Sequence, residues 1–236
     1  MKPQHALLTV GCLLSVASAQ WLETTVRLPD SFGGLTRPRC LTYDSANNTI
    51  YVGGENGDCV VAIDGETNQR TARIPTGSHC VALCSNPQNS KVYCANNYSD
   101  NVTVIDGATN QVIVTVAAGD GPCALCFNPQ DNKVYCANDL SGNVTVVDGA
   151  SDQVIATVDA GTGPSALCYD PQGNNVYCAN YYGNSVTVIN GTSDQVIATV
   201  AAGNGPSELV RKLVSVTFEI DTMSMWPLVV TGVSIS

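Results

Sequence analysis

Apolar and polar positions alternate in short runs along most of the chain, and Asn, Gly, Asp and Pro separate the runs. The unit that opens at Pro122 shows the pattern at 123–127, 133–137, 144–148 and 153–158. Val, Ile, Thr and Tyr dominate these runs, which predicts four short strands on a half-buried pleated surface. The breaks read as turns: Pro presets φ at Asn128-Pro129-Gln130, and Asp148-Gly149 accepts tight geometry. No unit carries the 3.6-residue spacing of an amphipathic helix.

The pattern repeats. Tyr51, Tyr93, Tyr135 and Tyr177 are 42 residues apart, as are Asp64, Asp106, Asp148 and Asn190, each followed by Gly. Pro87, Pro129 and Pro171 recur with Gln after each. A period of roughly 40–50 residues means a solenoid or a propeller. Four strands per unit is the size of one propeller blade, so the expected fold is all-β, a propeller of four-stranded blades.

The segments Lys91-Val92-Tyr93-Cys94-Ala95-Asn96, Asn101-Val102-Thr103-Val104-Ile105-Asp106 and Gln111-Val112-Ile113-Val114-Thr115-Val116 resemble the YVTN-type β-propeller repeat of secreted and surface-layer proteins of bacteria and archaea. The resemblance covers about 39–209 and departs from the family in placing Cys where Val or Ala is usual. It implies a propeller fold and a cell-surface context, and it brings no catalytic set, because the motif is structural.

Blade number is left open between two solutions. Chain length after the leader, divided by the period, gives roughly five units. Four complete units run from about Arg39 to Val200, 21–28 reads as a lone fourth strand, and the repeat motifs stop after Leu209. Residues 213–220 and 228–235 still alternate like strands. Either the divergent segment 210–236 and the strand at 21–28 build a fifth blade that closes the ring, or the chain is an incomplete copy of a larger propeller. Closure would hide sheet edges that otherwise invite association.

The first residues change the picture of location. A basic start at Lys2, an apolar stretch from Ala6 to Val16 and small residues at Ala17 and Ala19 read as an export signal over 1–19, with the propeller filling 20–236. That predicts a secreted, extracellular or envelope protein in a compartment where disulfides persist. No later segment is apolar enough for a membrane span. Twenty acids against ten bases give a net charge of -10, which opposes a phosphate backbone, so nucleic acid is not expected as a partner. His5 and His79 are the only histidines, which excludes a multi-His metal site. No cofactor and no metal are expected.

Eleven cysteines are the most informative side chains. Cys84, Cys126 and Cys168 fall on the first strand of three units, and Cys94, Cys136 and Cys178 on the second strand of the same units. Both positions lack Cys together in the first unit (Thr42, Val52) and in the tail (Val210, Ile220). This co-occurrence predicts three intra-blade disulfides, Cys84–Cys94, Cys126–Cys136 and Cys168–Cys178. They form only if the hairpin register sets each pair directly opposite, since a one-residue slip sends the side chains to opposite faces. The alternative is buried free Cys used as a small apolar residue. Cys40, Cys59, Cys80 and Cys123 are aperiodic and stay unassigned, although Cys80 and Cys123 sit where a link between blades could form.

In a blade, the second–third turns and the fourth–first connections share one face. Here these loops vary, whereas the Asn-Pro-Gln and Asp-Gly turns of the opposite face are nearly constant. Variable loops on a rigid scaffold suit recognition. Tyr98, Tyr181 and Tyr182 are candidates to stack on a sugar or peptide, with Asp100, Asp120 and Asp139 near the channel mouth. Sequons at Asn47, Asn97, Asn101, Asn143 and Asn190 would permit glycosylation in a suitable host. The leading expectation is a non-catalytic interaction or structural module whose partner is a protein or glycan at the cell surface. The alternative is a propeller-class enzyme, lactonase-like or glycan-active, using acids at the channel mouth. An open ring would also favour self-association.

Overall fold

The computed structural model describes residues 35–209 and two short strands further on. The expected leader at 1–19 and the lone strand at 21–28 lie outside the described residues. Sixteen strands form four antiparallel four-stranded sheets in chain order. The first blade is β1 (Thr36–Asp44), β2 (Thr49–Asn56), β3 (Cys59–Asp64) and β4 (Arg70–Pro75). The second is β5 (Cys80–Asn86), β6 (Lys91–Asn96), β7 (Asn101–Asp106) and β8 (Gln111–Ala117). The third is β9 (Pro122–Asn128), β10 (Lys133–Asn138), β11 (Asn143–Asp148) and β12 (Val154–Asp159). The fourth is β13 (Pro164–Asp170), β14 (Asn175–Asn180), β15 (Ser185–Asn190) and β16 (Val196–Ala201). The chain is a β-propeller of four-stranded blades. Beyond the fourth blade, β17 (Val216–Phe218) and β18 (Val233–Ile235) pair as a separate two-stranded sheet, shorter than the runs expected at 213–220 and 228–235.

Each hairpin turns on residues that tolerate positive φ. Asn48, Ser90, Asn132 and Asn174 hold the left-handed conformation after the first strand of their blades, and Asn68, Asn110, Asp152 and Asp194 do so after the third. Asn and Asp accept this region because their short polar side chains bond locally. The Asp-Gly turns are closed by their own carboxylates: Asp106 Oδ1 accepts from the amides of Ala108 (2.8 Å) and Thr109 (2.9 Å). Asp148 Oδ1 accepts from the Ser151 amide and hydroxyl, each at 2.7 Å.

The core lies between blades. Tyr93, Ala95, Val102, Val104 and Val116 of the second blade pack on Val134, Cys136 and Val147 of the third. Tyr135, Val144, Val146 and Val158 of the third pack on Tyr169, Val176, Cys178 and Ile189 of the fourth. Among the described residues no further blade packs on the matching face of the fourth. Val200 is 54% exposed, whereas its equivalents Val116 and Val158 are 9% and 6% exposed.

A polar latch joins neighbours at the rim of each interface. Tyr135 Oη donates to Asp194 Oδ1 (2.7 Å) and Lys133 Nζ to Asp194 Oδ2 (2.8 Å), reaching from the third blade into the turn of the fourth. Lys133 Nζ also donates to the Gly191 and Thr192 carbonyls. Tyr93 and Lys91 repeat this on Asp152 at 3.1 and 2.8 Å. Between the first two blades the latch is neutral: Tyr51 donates to Asn110 Oδ1 (2.7 Å), and Thr49 stands at the lysine position. Burial, reinforced by the acceptor carboxylate, pushes the Tyr93 and Tyr135 hydroxyls up, so they remain protonated donors.

The register overturns the expected cystine ladder. Cys84 stands opposite Tyr93 and Cys94 opposite Leu83. Likewise Cys126 pairs with Tyr135 and Cys136 with Leu125, and Cys168 pairs with Tyr177 and Cys178 with Leu167. The offset is one residue, so the two thiols of each hairpin point to opposite faces of the sheet and cannot meet. Cys84, Cys126, Cys136 and Cys178 are free thiols, and Cys94 is bonded instead to Cys80. Cys94, Cys136 and Cys178 pack toward the preceding blade as small apolar residues. Burial holds the Cys84 thiol up at about 12 and that of Cys178 at about 12.

Candidate functional site

The loop-bearing face is mounted on a buried polar clasp. Asn96 is fully buried, and its Nδ2 donates to Asn101 Oδ1 (2.8 Å) and Thr103 Oγ1 (2.9 Å), pinning the β6–β7 hairpin beneath its tip. Asn138 does the same with Asn143 and Thr145, and Asn180 with Ser185 and Thr187. A fully satisfied buried network rigidifies what it joins. The first blade has Gly54, Cys59 and Val61 at these positions and lacks the clasp. Asn101, Thr103, Asn143 and Thr145, read as sequons, are parts of this clasp, and both threonines are buried.

At the tip of each clasped hairpin one position projects. Tyr98, Leu140 and Tyr182 are separated by the repeat length and are 72%, 77% and 68% exposed. Each rests on the positive-φ residue that enters its own blade. Tyr98 stacks on the His79 ring, with centroids 4.1 Å apart and planes 12° from parallel. A Cβ at Gly121 would stand 2.9 Å from Leu140 Cγ, and one at Gly163 would stand 2.6 Å from Tyr182 Cδ2. These two glycines have φ of 69° and 70°, so a side chain there would be strained and would have to displace the tip residue from this position. His79, with φ of 64°, is held by a 3.0 Å contact between its Nδ1 and the Glu55 carbonyl. Tyr181 packs edge-on against Tyr182, with centroids 5.0 Å apart.

Tyr98, Tyr181, Tyr182, Asp100, Asp120 and Asp139 therefore share one face, and their roles divide. Asp100 is a structural tie, because its Oδ1 accepts the Gly121 amide (2.9 Å) across to the next blade. Asn184 makes the same tie to the Gly205 amide. Asp120 is exposed, and its backbone carbonyl accepts from the amides of Leu140 and Ser141. Asp139 is half-buried and lies beside Gly163 and Tyr182. Asp159, at the end of β12, adds a further exposed carboxylate to the third blade. On the first blade the charge reverses: Arg39 and Arg37 hold Glu55 at 2.7 and 3.3 Å, and the Arg39 bond pulls its carboxyl below the usual range. Among the described residues no group of three or more His, Cys, Asp or Glu is placed to hold a metal ion.

Sequence reasoning passed over Leu140 and His79. The repeat carried the signal for both: Leu140 stands one period from Tyr98 and from Tyr182, and His79 one period from Gly121.

Comparison with known proteins returns the same architecture. A family model described as YNCE-like beta-propeller matches residues 17–209. No curated protein matches the chain. Among solved structures, Kuenenia stuttgartiensis hydrazine synthase superposes with a TM-score of 0.66 at 21% identity, over 72% of this chain and 50% of that one. The WD40 repeats of RRP9 superpose at 0.59 and 14% identity, over 68% and 50%. The chain thus spans about half the length of the propellers it matches.

Proposed function

From the premise that the chain belongs to the YNCE-like β-propeller family, we propose that it is an exported, non-catalytic recognition module that binds a cationic, apolar segment of a protein across its second to fourth blades. The row Tyr98, Leu140, Tyr182 carries this reading. Three large side chains at equivalent positions stand out of a rigid scaffold, each on a purpose-shaped seat. Scattered exposed apolar residues are ordinary, but a periodic, supported row marks an interaction surface. Aromatic rings alone would suit a sugar. Leucine at the centre offers no stacking face and favours apolar side chains of a polypeptide. Asp120, Asp139 and Asp159 beside the row, within a chain of net charge -10, supply attraction for a basic partner.

The leader-like residues 1–19 and the likeness to surface-layer repeats support an extracellular or envelope location. Asp100, one of the acids expected at a catalytic channel mouth, is committed to the Gly121 amide, which favours recognition over hydrolysis.

The test is binding of the exported protein to an array of short Lys- and Leu-rich peptides, with an array of neutral glycans beside it. Replacing Tyr98, Leu140 and Tyr182 together by Ala should weaken the best peptide at least tenfold, which is about 1.4 kcal/mol. Peptide binding that survives the triple change, or glycan binding alone, refutes the assignment. Amino-terminal sequencing of exported material should begin at Gln20.

A further inference from the structure

Three departures from the repeat meet at one point. Cys40 stands where the other blades have Ala82, Ala124 and Ala166, and Cys80 where later blades have Pro122 and Pro164. Gly53 stands where they have Ala95, Ala137 and Ala179. In the fold, Cys40 Sγ lies 3.9 Å from Cys80 Sγ across the boundary between the first and second blades. Gly53 opens the space for both sulfurs: a Cβ there would stand 2.5 Å from Cys80 Sγ and 2.8 Å from Cys40 Sγ. The present partner of Cys80 is Cys94, within the second blade. Cys94 belongs to a repeating series whose other members, Cys136 and Cys178, are buried free thiols. That position needs no bond, whereas Cys40, Cys80 and Gly53 have no counterpart elsewhere and serve one another.

We propose that Cys80 exchanges partners, giving up Cys94 for Cys40, and that the resulting Cys40–Cys80 disulfide is a covalent staple between the first and second blades. Cys40 loses its thiol proton to solvent, and its sulfur attacks Cys80 Sγ. The Cys40–Cys80 bond forms as the Cys80–Cys94 bond breaks, and Cys94 departs as a thiolate that takes up a proton. One disulfide and one thiol stand on each side of the step, so it consumes neither oxidant nor reductant. Burial holds the Cys40 thiol up at about 12, which makes exchange slow, on the order of hours without a catalyst. The staple spans 40 residues in sequence where the intra-blade bond spans 14, and the longer loop constrains the unfolded chain more strongly.

Trypsin makes the test direct. Cleavage after Arg39, Arg70, Arg73, Lys91 and Lys133 separates Cys40 (with Cys59), Cys80 (with Cys84) and Cys94 (with Cys123 and Cys126) into peptides 40–70, 74–91 and 92–133. The full chain is equilibrated in a glutathione buffer, alkylated and digested without reduction, and linked peptides are located by mass and fragmentation. The wild type should yield 40–70 joined to 74–91 through Cys40 and Cys80, in at least tenfold excess over 74–91 joined to 92–133. Gly53→Ala, which installs the residue the other blades already accommodate, should reverse that ratio while the circular dichroism spectrum stays native. Cys40→Ser should leave the Cys80–Cys94 link alone. The proposal is overturned if the wild type retains only the 74–91 to 92–133 link, if fragmentation places the bond on Cys59 or Cys84, or if Gly53→Ala leaves the ratio unchanged.

Discussion

The charged latch between the third and fourth blades is the sharpest place to perturb the fold. Lys133 and Asp194 are both nearly buried, 2.8 Å apart, and Asp194 also accepts the Tyr135 hydroxyl. Removing one partner of a buried ion pair costs about 3–5 kcal/mol, because the other charge is left without compensation. Lys133 keeps two carbonyl acceptors, at Gly191 (2.8 Å) and Thr192 (3.2 Å), so Asp194→Ala falls at the low end, about 3 kcal/mol. The chain carries its own neutral version of the latch in Thr49 and Asn110. Lys133→Thr and Asp194→Asn should each cost about 3 kcal/mol alone, since each strands one charge. Together they rebuild the neutral form and should cost no more than either alone, about 3 kcal/mol, a coupling of about 3 kcal/mol. Equilibrium unfolding in guanidinium, followed by circular dichroism over the full cycle, reads these values. At about 2–4 °C per kcal/mol for a chain of this size, Asp194→Ala should lower Tm by about 6–12 °C. Single effects that add to within about 0.5 kcal/mol would show that the two groups do not act as a pair and would refute the reasoning.

Other consequences are open to simpler assays. Val158→Ala should destabilise by about 2 kcal/mol, and its exposed equivalent Val200→Ala by less than about 0.5 kcal/mol, in the same guanidinium titration. The Ser151 hydroxyl and amide hold the Asp148 carboxyl below its usual value. Asp148 therefore stabilises above the unfolded carboxylate range, near pH 4, and that contribution is lost as pH falls through the lower folded value. Asp148→Asn, which keeps the acceptor, should leave stability at pH 7 within about 0.5 kcal/mol and flatten the decline below pH 4 in thermal melts. Tyr98→Ala and Tyr182→Ala should leave Tm within about 2 °C of the wild type, because both rings are exposed. A larger loss would make them supports of the fold and not contacts for a partner.

Period and alternation made the blades legible, because every unit writes the same strand–turn grammar and the residues that need positive φ recur with it. What sequence could not supply was register to one residue. Cys84 and Cys94 are ten positions apart whichever way the turn is closed, and the structure's turn sets Cys84 opposite Tyr93. A slip of that size leaves the hydrophobic pattern of both strands readable and still decides whether two sulfurs can meet. The binding face was half legible. Loop variability pointed to Tyr98, Tyr181 and Tyr182, but the weight placed on aromatic residues hid Leu140. Charge at a loop also drew Asp100 into the candidate set, although its carboxylate is spent on a backbone amide. Clasp and latch were invisible for a different reason. Tyr135 and Asp194 gain their roles from neighbours that only the stacking of blades brings within reach, and Asn96 from a hairpin register that sets it against Asn101 and Thr103.

The latch runs one way. In the first three blades the donating tyrosine lies on the second strand and reaches to an acceptor in the blade that follows in sequence, never to the one before. The stack of described blades therefore has a polarity, with hydroxyl donors presented on the side of each blade that faces its successor. Tyr177 fills the equivalent position of the fourth blade, so all four blades carry the same forward-facing tyrosine in their second strand.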